Sequence, residues 1–342
     1  MDDNQFSNNE TPVPINEENQ PSITPPKFSK LTELAIAFLK CAGYAGIWLG
    51  VELAISVVAG VLLVLLHPEY NQAQLTEVLL GWSIGMTFIR SIVVVLIYYL
   101  IFVILKKSFF KKIKLYVPDN SSYIPTTVIG FTGQFVTVLA LGVIMLMLPQ
   151  DWIDSFQQNS DIITSSNQIL TFISVVFLAP LFEEIMCRGL ILNTMRGVMN
   201  KWLAIVLSSL FFGLIHGNPV QIIYATALGI LLGYLYVKYE SILVPMLCHL
   251  VFNLTSMLNS YLDVENEFIT MLLGLVAFAS VPIFILALVY VALKRVKVPE
   301  IKEEAPKEIY RPQFTPPKEY NEEALARLEK EIEEKIENNS ED

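Results

Sequence analysis

The stretch FLAPLFEEIMCRGLIL, Phe177–Leu192, decides how the rest of the chain is read. It is apolar enough for a bilayer, yet it carries Glu183, Glu184 and Arg188. On a helix, residues four apart share a face, so Glu184 and Arg188 are neighbours, whereas Glu183 lies about 100° round from Glu184. Ionisable groups at membrane depth cost several kcal/mol each and face a protein interior or a wet cavity. Two adjacent carboxylates and an arginine in one such helix therefore call for an enclosing site built by other segments.

The composition supports a membrane setting. The chain has 342 residues, of which 54% are hydrophobic and only 16% charged, well outside the usual soluble balance. Its formal net charge of −10 resides in two tails: residues 1–30 hold five acids against two lysines, and residues 300–342 hold fourteen acids against seven bases. The acidic character thus describes the tails and not a binding surface, and no nucleic-acid partner is expected. Residues 1–30 read as a disordered tail, with no positively charged start of the signal-peptide kind. Residues 31–298 read as the membrane bundle. Residues 299–342 read as an acidic tail carrying a short charged helix at about 321–337. Cys41, Cys187 and Cys248 all lie in apolar segments and suggest packing, not a disulfide framework.

Apolar segments long enough for the bilayer core, which needs roughly 20 helical residues, fall at about 43–66, 79–105, 124–148, 168–192, 202–216, 220–237, 242–259 and 268–293. The fifth is short, and the break at Gly217, Asn218 and Pro219 is the softest boundary. Loops 67–78, 149–167, 217–219 and 260–267 contain no Lys or Arg, while the alternate side holds Lys106, Lys107, Lys111, Lys112, Lys114, Arg196, Lys201, Lys238 and Lys294. The positive-inside rule then predicts an all-α polytopic protein of about eight spans with both termini cytoplasmic, expected in the plasma membrane. Gly229 and Gly233, like Gly46 and Gly50 and Gly81 and Gly85, have the spacing that lets helices approach closely. Glu52 and Arg90, in the first two spans, are expected at depths about 12 Å apart, counted at 1.5 Å per residue. Pro180 and Pro245 are expected to kink the helices near polar residues.

Three further polar residues belong with the acidic segment. His216 ends the fifth span in FFGLIH, and His249 and Asn253, four apart, share a face of the seventh in HLVFN. Glu183, Glu184, Arg188, His216, His249 and Asn253 are thus six costly groups on three helices, and function is the default reading of such a set. Carboxylate and imidazole around one buried spot suit activation of water. Glu183 would act as base and His216 would hold the water. His249 and Asn253 would donate to the oxyanion formed on an attacked amide, and Arg188 would neutralise Glu184. An alternative makes Glu183, His216 and His249 the ligands of a catalytic zinc with water in the fourth position. Residue types alone leave both open. A non-catalytic membrane scaffold or immunity protein that binds a partner is the second functional class, motivated by the two tails.

These residues carry a resemblance. EEIMCR has the form EExxxR, FGLIH the form FxxxH and HLVFN the form HxxxN. In that order they resemble the CPBP family of intramembrane proteases (CAAX proteases and bacteriocin-processing enzymes, also called Abi), to which the Ras-converting CAAX prenyl endopeptidase belongs. The likeness covers about 165–260. It implies an eight-helix bundle with a cavity open to the cytosol and lipid, and an endopeptidase acting on a membrane-associated or lipid-modified protein or peptide. It places the base on Glu183 with His216 and the oxyanion donors on His249 and Asn253, with a metal requirement undecided. No HExxH, GxGD or GxSG signature of other intramembrane proteases is present.

Overall fold

The computed structural model describes residues 29–165, 167–262 and 265–296, together with Arg327, Lys330 and Glu331. The chain divides into two units, Met1–Val298 and Pro299–Asp342. The first tail and nearly all of the charged helix expected at 321–337 lie outside the described residues.

Every regular element among the described residues is helical. Ten helices follow in order: α1 (Lys30–Leu66), α2 (Gln72–Ile104), α3 (Phe109–Ile113), α4 (Tyr123–Ile144), α5 (Gln150–Ser165), α6 (Gln168–Met195), α7 (Lys201–Leu214), α8 (Pro219–Tyr239), α9 (Leu243–Ser260) and α10 (Glu267–Leu293). Seven of them are long and apolar enough to cross a membrane. Large apolar side chains such as Leu65, Leu100, Phe278 and Leu286 point outward along these helices, exposed by 53 to 79%, and only a hydrocarbon surrounding accommodates so much exposed apolar surface. The protein is a multi-pass helical membrane protein. The fifth expected span, α7, has 14 residues and so reaches about 21 Å, short of the ~30 Å core.

Several boundaries differ from the sequence reading, each for a local reason. α1 starts at Lys30, where Ser29 accepts a hydrogen bond from the Thr32 backbone and caps the helix, so it begins well before residue 43. Between α7 and α8, Gly217 takes φ +73°, Asn218 Oδ1 accepts from the Val220 and Gln221 N–H groups, and Pro219 opens α8 without needing a donor. Pro245 does not kink α9, because it lies in the first turn, where a missing N–H is harmless. The stretch 149–167, read as a loop, folds as the amphipathic helix α5.

Glu52 and Arg90 form an ion pair, contrary to the depth estimate. Counted from the hairpin that joins α1 and α2, Glu52 lies about 21 Å and Arg90 about 27 Å away at 1.5 Å per residue, and two long side chains close that gap. Of the small-residue pairs, Gly229 and Gly233 form a helix contact: an added Cβ would meet Ser209 Cβ at 2.9 Å and Ile205 Cγ2 at 3.1 Å on α7. Gly46, Gly50 and Gly81 face open space.

The two ends of the bundle differ in charge. One end gathers the lysines and arginines and is tied by polar contacts: Arg196 makes a two-pronged pair with Glu240 at 2.7 and 2.8 Å, Lys114 joins the same carboxylate, Lys112 Nζ donates to Thr194 at 2.9 Å, and Ser241 donates to the Tyr116 carbonyl at 2.6 Å. The opposite end, made of residues 67–71, α5, 215–218 and the turn after α9, carries Glu69, Asp151 and Asp154 and no Lys or Arg.

Candidate active site

The site begins with irregularity in α6. Its backbone widens into π-helical turns at Ile173–Leu178 and again at Ile185–Leu192, a distortion often found at functional sites. Pro180 explains the first. The Ala179 N–H bonds to the Ser174 carbonyl, five residues back. In that register the Val175 carbonyl would need the N–H of residue 180, and proline has none. Asn253 of α9 fills the place, its Nδ2 donating to the Val175 carbonyl at 2.9 Å. The proline and the asparagine, far apart in sequence, are thus a matched pair.

Glu184 and Arg188 lie fully buried behind this bulge, both at 0% exposure. Arg188 Nη1 donates to Glu184 Oε1 at 2.7 Å, as their spacing predicts. Nη2 donates to the Gly229 carbonyl at 3.1 Å, and the guanidinium lies 4.4 Å from the centre of the Phe212 ring. The small residue at 229 thus serves both close approach and arginine docking. Glu184 Oε1 also meets His249 Nδ1 at 3.0 Å, while Oε2 has no hydrogen-bond partner. Because a carboxylate beside an arginine can only accept, His249 Nδ1 carries the hydrogen. Its other nitrogen, Nε2, is 3.7 Å from Glu183 Oε2.

His216 sits in the turn that ends α7. Its Nδ1 is 2.8 Å from the Phe212 carbonyl, again an acceptor only, so Nδ1–H donates and Nε2 keeps a free lone pair in the neutral ring. Phe212 is the wedge among these groups, its ring edge-on to His216 at 5.0 Å and to His249 at 5.6 Å.

Glu183, His216, His249 and Asn253 line one cavity of about 600 Å³ between α4, α5, α6, α7, α8 and α9. Glu184 and Arg188 stand directly behind its wall. All six residues singled out in the sequence are brought together. The arrangement changes two of their expected tasks. Asn253 engages one of its amide hydrogens on Val175 and has one left for the cavity, and His249 can present only Nε2. Glu183 is a carboxylate in a mostly enclosed site, with side-chain exposure of 16%. Among the described residues, no three His, Cys, Asp or Glu side chains converge as a metal-holding group. The set Glu183, His216 and His249 shares the cavity without forming a ligand triangle.

Sequence reading missed the rest of the lining. Phe156, Asn159, Ser160 and Ile163 of α5 face the cavity, at the i, i+3, i+4, i+7 spacing of one helix face; that stripe was the available signal. Tyr224 lines the cavity beside Gln221, its ring 6.2 Å from Phe156. The three cysteines are buried and unbridged.

Residues 165–255 match the family model described as Type II CAAX prenyl endopeptidase Rce1-like. The match falls on the segment that carries the EExxxR, FxxxH and HxxxN motifs. Over 93 residues the chain is 30% identical to a protein of Bacillus subtilis (strain 168) named "Putative membrane peptidase YdiL"; the match covers 27% of this chain. The chain spans 37% of the length of that relative. No solved structure matches the chain. The matched segment contains every one of the six polar residues, whereas α1, α2, α3, α4, α10 and all of α5 but its last residue lie outside it.

Proposed function

We propose that the chain is an intramembrane endopeptidase that hydrolyses a peptide bond of a membrane-associated protein or peptide. The observation that carries this reading is the sharing of one enclosed cavity by the Glu183 carboxylate, two imidazoles and the Asn253 amide.

The chemistry follows from the groups. Glu183 accepts a proton from a water as that water attacks the scissile carbonyl carbon; the free Nε2 of His216 accepts a hydrogen bond from the same water and aligns it. The carbonyl π electrons move to oxygen. His249, carrying hydrogen on Nε2 as well as Nδ1, and the remaining N–H of Asn253 donate to that oxyanion. When the tetrahedral species collapses, the C–N bond breaks and Glu183 returns its proton to the departing amine. With His249 protonated, the buried set of Glu183, Glu184, Arg188 and His249 is charge-neutral, which low-dielectric surroundings favour. Glu184 is a positioning residue, holding the imidazole through Nδ1, and Arg188 holds Glu184 in place through its own hydrogen bond to Oε1.

Purified protein in detergent, offered membrane-peptide substrates, tests the reading. Glu183→Gln and His216→Ala are each expected to lower turnover by about 10²–10⁴-fold, the usual worth of a positioned acid–base group, with the helical fold intact. Turnover equal to that of the natural chain would contradict it and favour a partner-binding scaffold.

A further inference from the structure

The geometry points to a cavity that opens on the extracytoplasmic side of the membrane, so that the substrate is a peptide presented at the outer face. This departs from the cytosol-facing opening that the family likeness implies. The direction of the opening rests on the cavity lining together with the loop charges; the substrate rests also on the proteolytic reading.

Five helices give the same direction. On α6, the lining residues Val175, Ala179 and Glu183 all precede Glu184 and Arg188, lying toward the helix start at Gln168. On α9, lining begins at His249 and continues to Ser260, away from the helix start. On α4 it runs from Gln134 to Met145, the second half of the span. On α8 it is confined to the first half, Gln221 to Leu228. On α7 it is Phe212 and His216 at the very end. Each of these directions leads away from Lys112, Lys114, Arg196, Lys201 and Lys238 and toward α5.

The floor is closed on the basic side. Arg188 and Glu184 are both at 0% exposure, and the polar ties among Lys112, Thr194, Arg196 and Glu240 lie beyond them. At the other end the wall is polar and in part exposed. Asn159 and Thr164 of α5 are exposed lining residues, and Asn218 Nδ2 pins α5 to the start of α8 by donating to Ser155 Oγ at 3.1 Å. All connections at this end lack Lys and Arg. Such loops are the ones translocated across the membrane, and the two observations together place the mouth outside. A prenylated C-terminus displayed at the cytosolic surface would meet the sealed floor. An exported peptide, or the outer portion of an anchored one, would meet the mouth.

Cysteine labelling in sealed vesicles tests this with the full chain. Asn159→Cys and Thr164→Cys report on the mouth, and Val117→Cys, exposed by 72% at the basic end, reports on the opposite face. The natural chain, whose three cysteines are buried, is the blank. With a membrane-impermeant maleimide, the two α5 variants are expected to label in right-side-out vesicles, and Val117→Cys only in inside-out vesicles. The reverse pattern would overturn the proposal. Comparing peptide termini between membranes with the natural chain and with Glu183→Gln separates the two claims. A terminus lost in Glu183→Gln together with reversed labelling keeps the protease and removes the orientation; the expected labelling with unchanged termini keeps the orientation and removes the protease.

Discussion

The bundle's basic end and its acidic end use polar groups in opposite ways. At the basic end polar side chains hold helices together: Arg196 and Lys114 share Glu240, Lys112 is held by Thr194, and deeper in the bundle Arg188 is clamped between Glu184 and the Gly229 carbonyl. Toward the acidic end, Glu183, His216, Asn159 and Gln221 line a space instead of bonding across it. The first pattern is that of structure, the second that of a site kept ready for a ligand.

That contrast can be broken by substitution. The largest stability effect is expected from Arg188→Met, which leaves Glu184 buried without its guanidinium and with only His249 beside it. Removing one partner of such a pair costs about 3–5 kcal/mol, read as a large drop in the thermal midpoint in detergent, and Glu184→Gln in the same chain should recover much of it. Glu183→Gln, in the other half, should leave the midpoint nearly unchanged. Equal destabilisation by the two single changes would erase the distinction.

A smaller loss is expected from Asn253→Ala, which orphans the Val175 carbonyl; an unsatisfied buried acceptor costs about 1–3 kcal/mol. Pro180→Ala restores the N–H that carbonyl lacks, so the double variant should lose less than Asn253→Ala alone. Additive losses would show that the proline and the asparagine are not coupled.

The smallest effect concerns pH. Burial, then the nearby Lys40, Arg196 and Lys107 charges, push Lys112 from its ordinary 10.5 down to about 8. Between about 8 and 10.5 the unfolded chain binds a proton that the folded chain does not, so this group's contribution to stability rises with pH across that window. Lys112→Met should flatten that rise in a series of thermal scans; an unaltered slope would show that Lys112 titrates at its ordinary value.

Much of this was legible in the sequence, for physical reasons. Burying Glu184 and Arg188 demands a partner, and their i, i+4 spacing named it. The three polar motifs named three of the site's helices, α6, α7 and α9, and left α4, α5 and α8 unnamed. What was hidden required three dimensions. Pro180 was visible, but its match to Asn253 depends on a π-helical register that spacing does not encode. α5 reads as a hydrophilic loop because its apolar stripe, from Phe156 to Ile163, is short and interrupted by Asn159 and Ser160. The side on which the cavity opens follows only when lining residues on five helices are compared, and there the lysine pattern and the family likeness point in opposite directions.

The central claim is that the shared cavity performs hydrolysis with Glu183 as its base. Its most direct measurement compares peptide termini in membranes of cells carrying the natural chain or Glu183→Gln at equal abundance. At least one terminus generated within or beside a membrane segment is expected with the natural chain and absent with the variant. Identical terminus profiles, with the variant supporting the same cellular phenotype, would contradict the account.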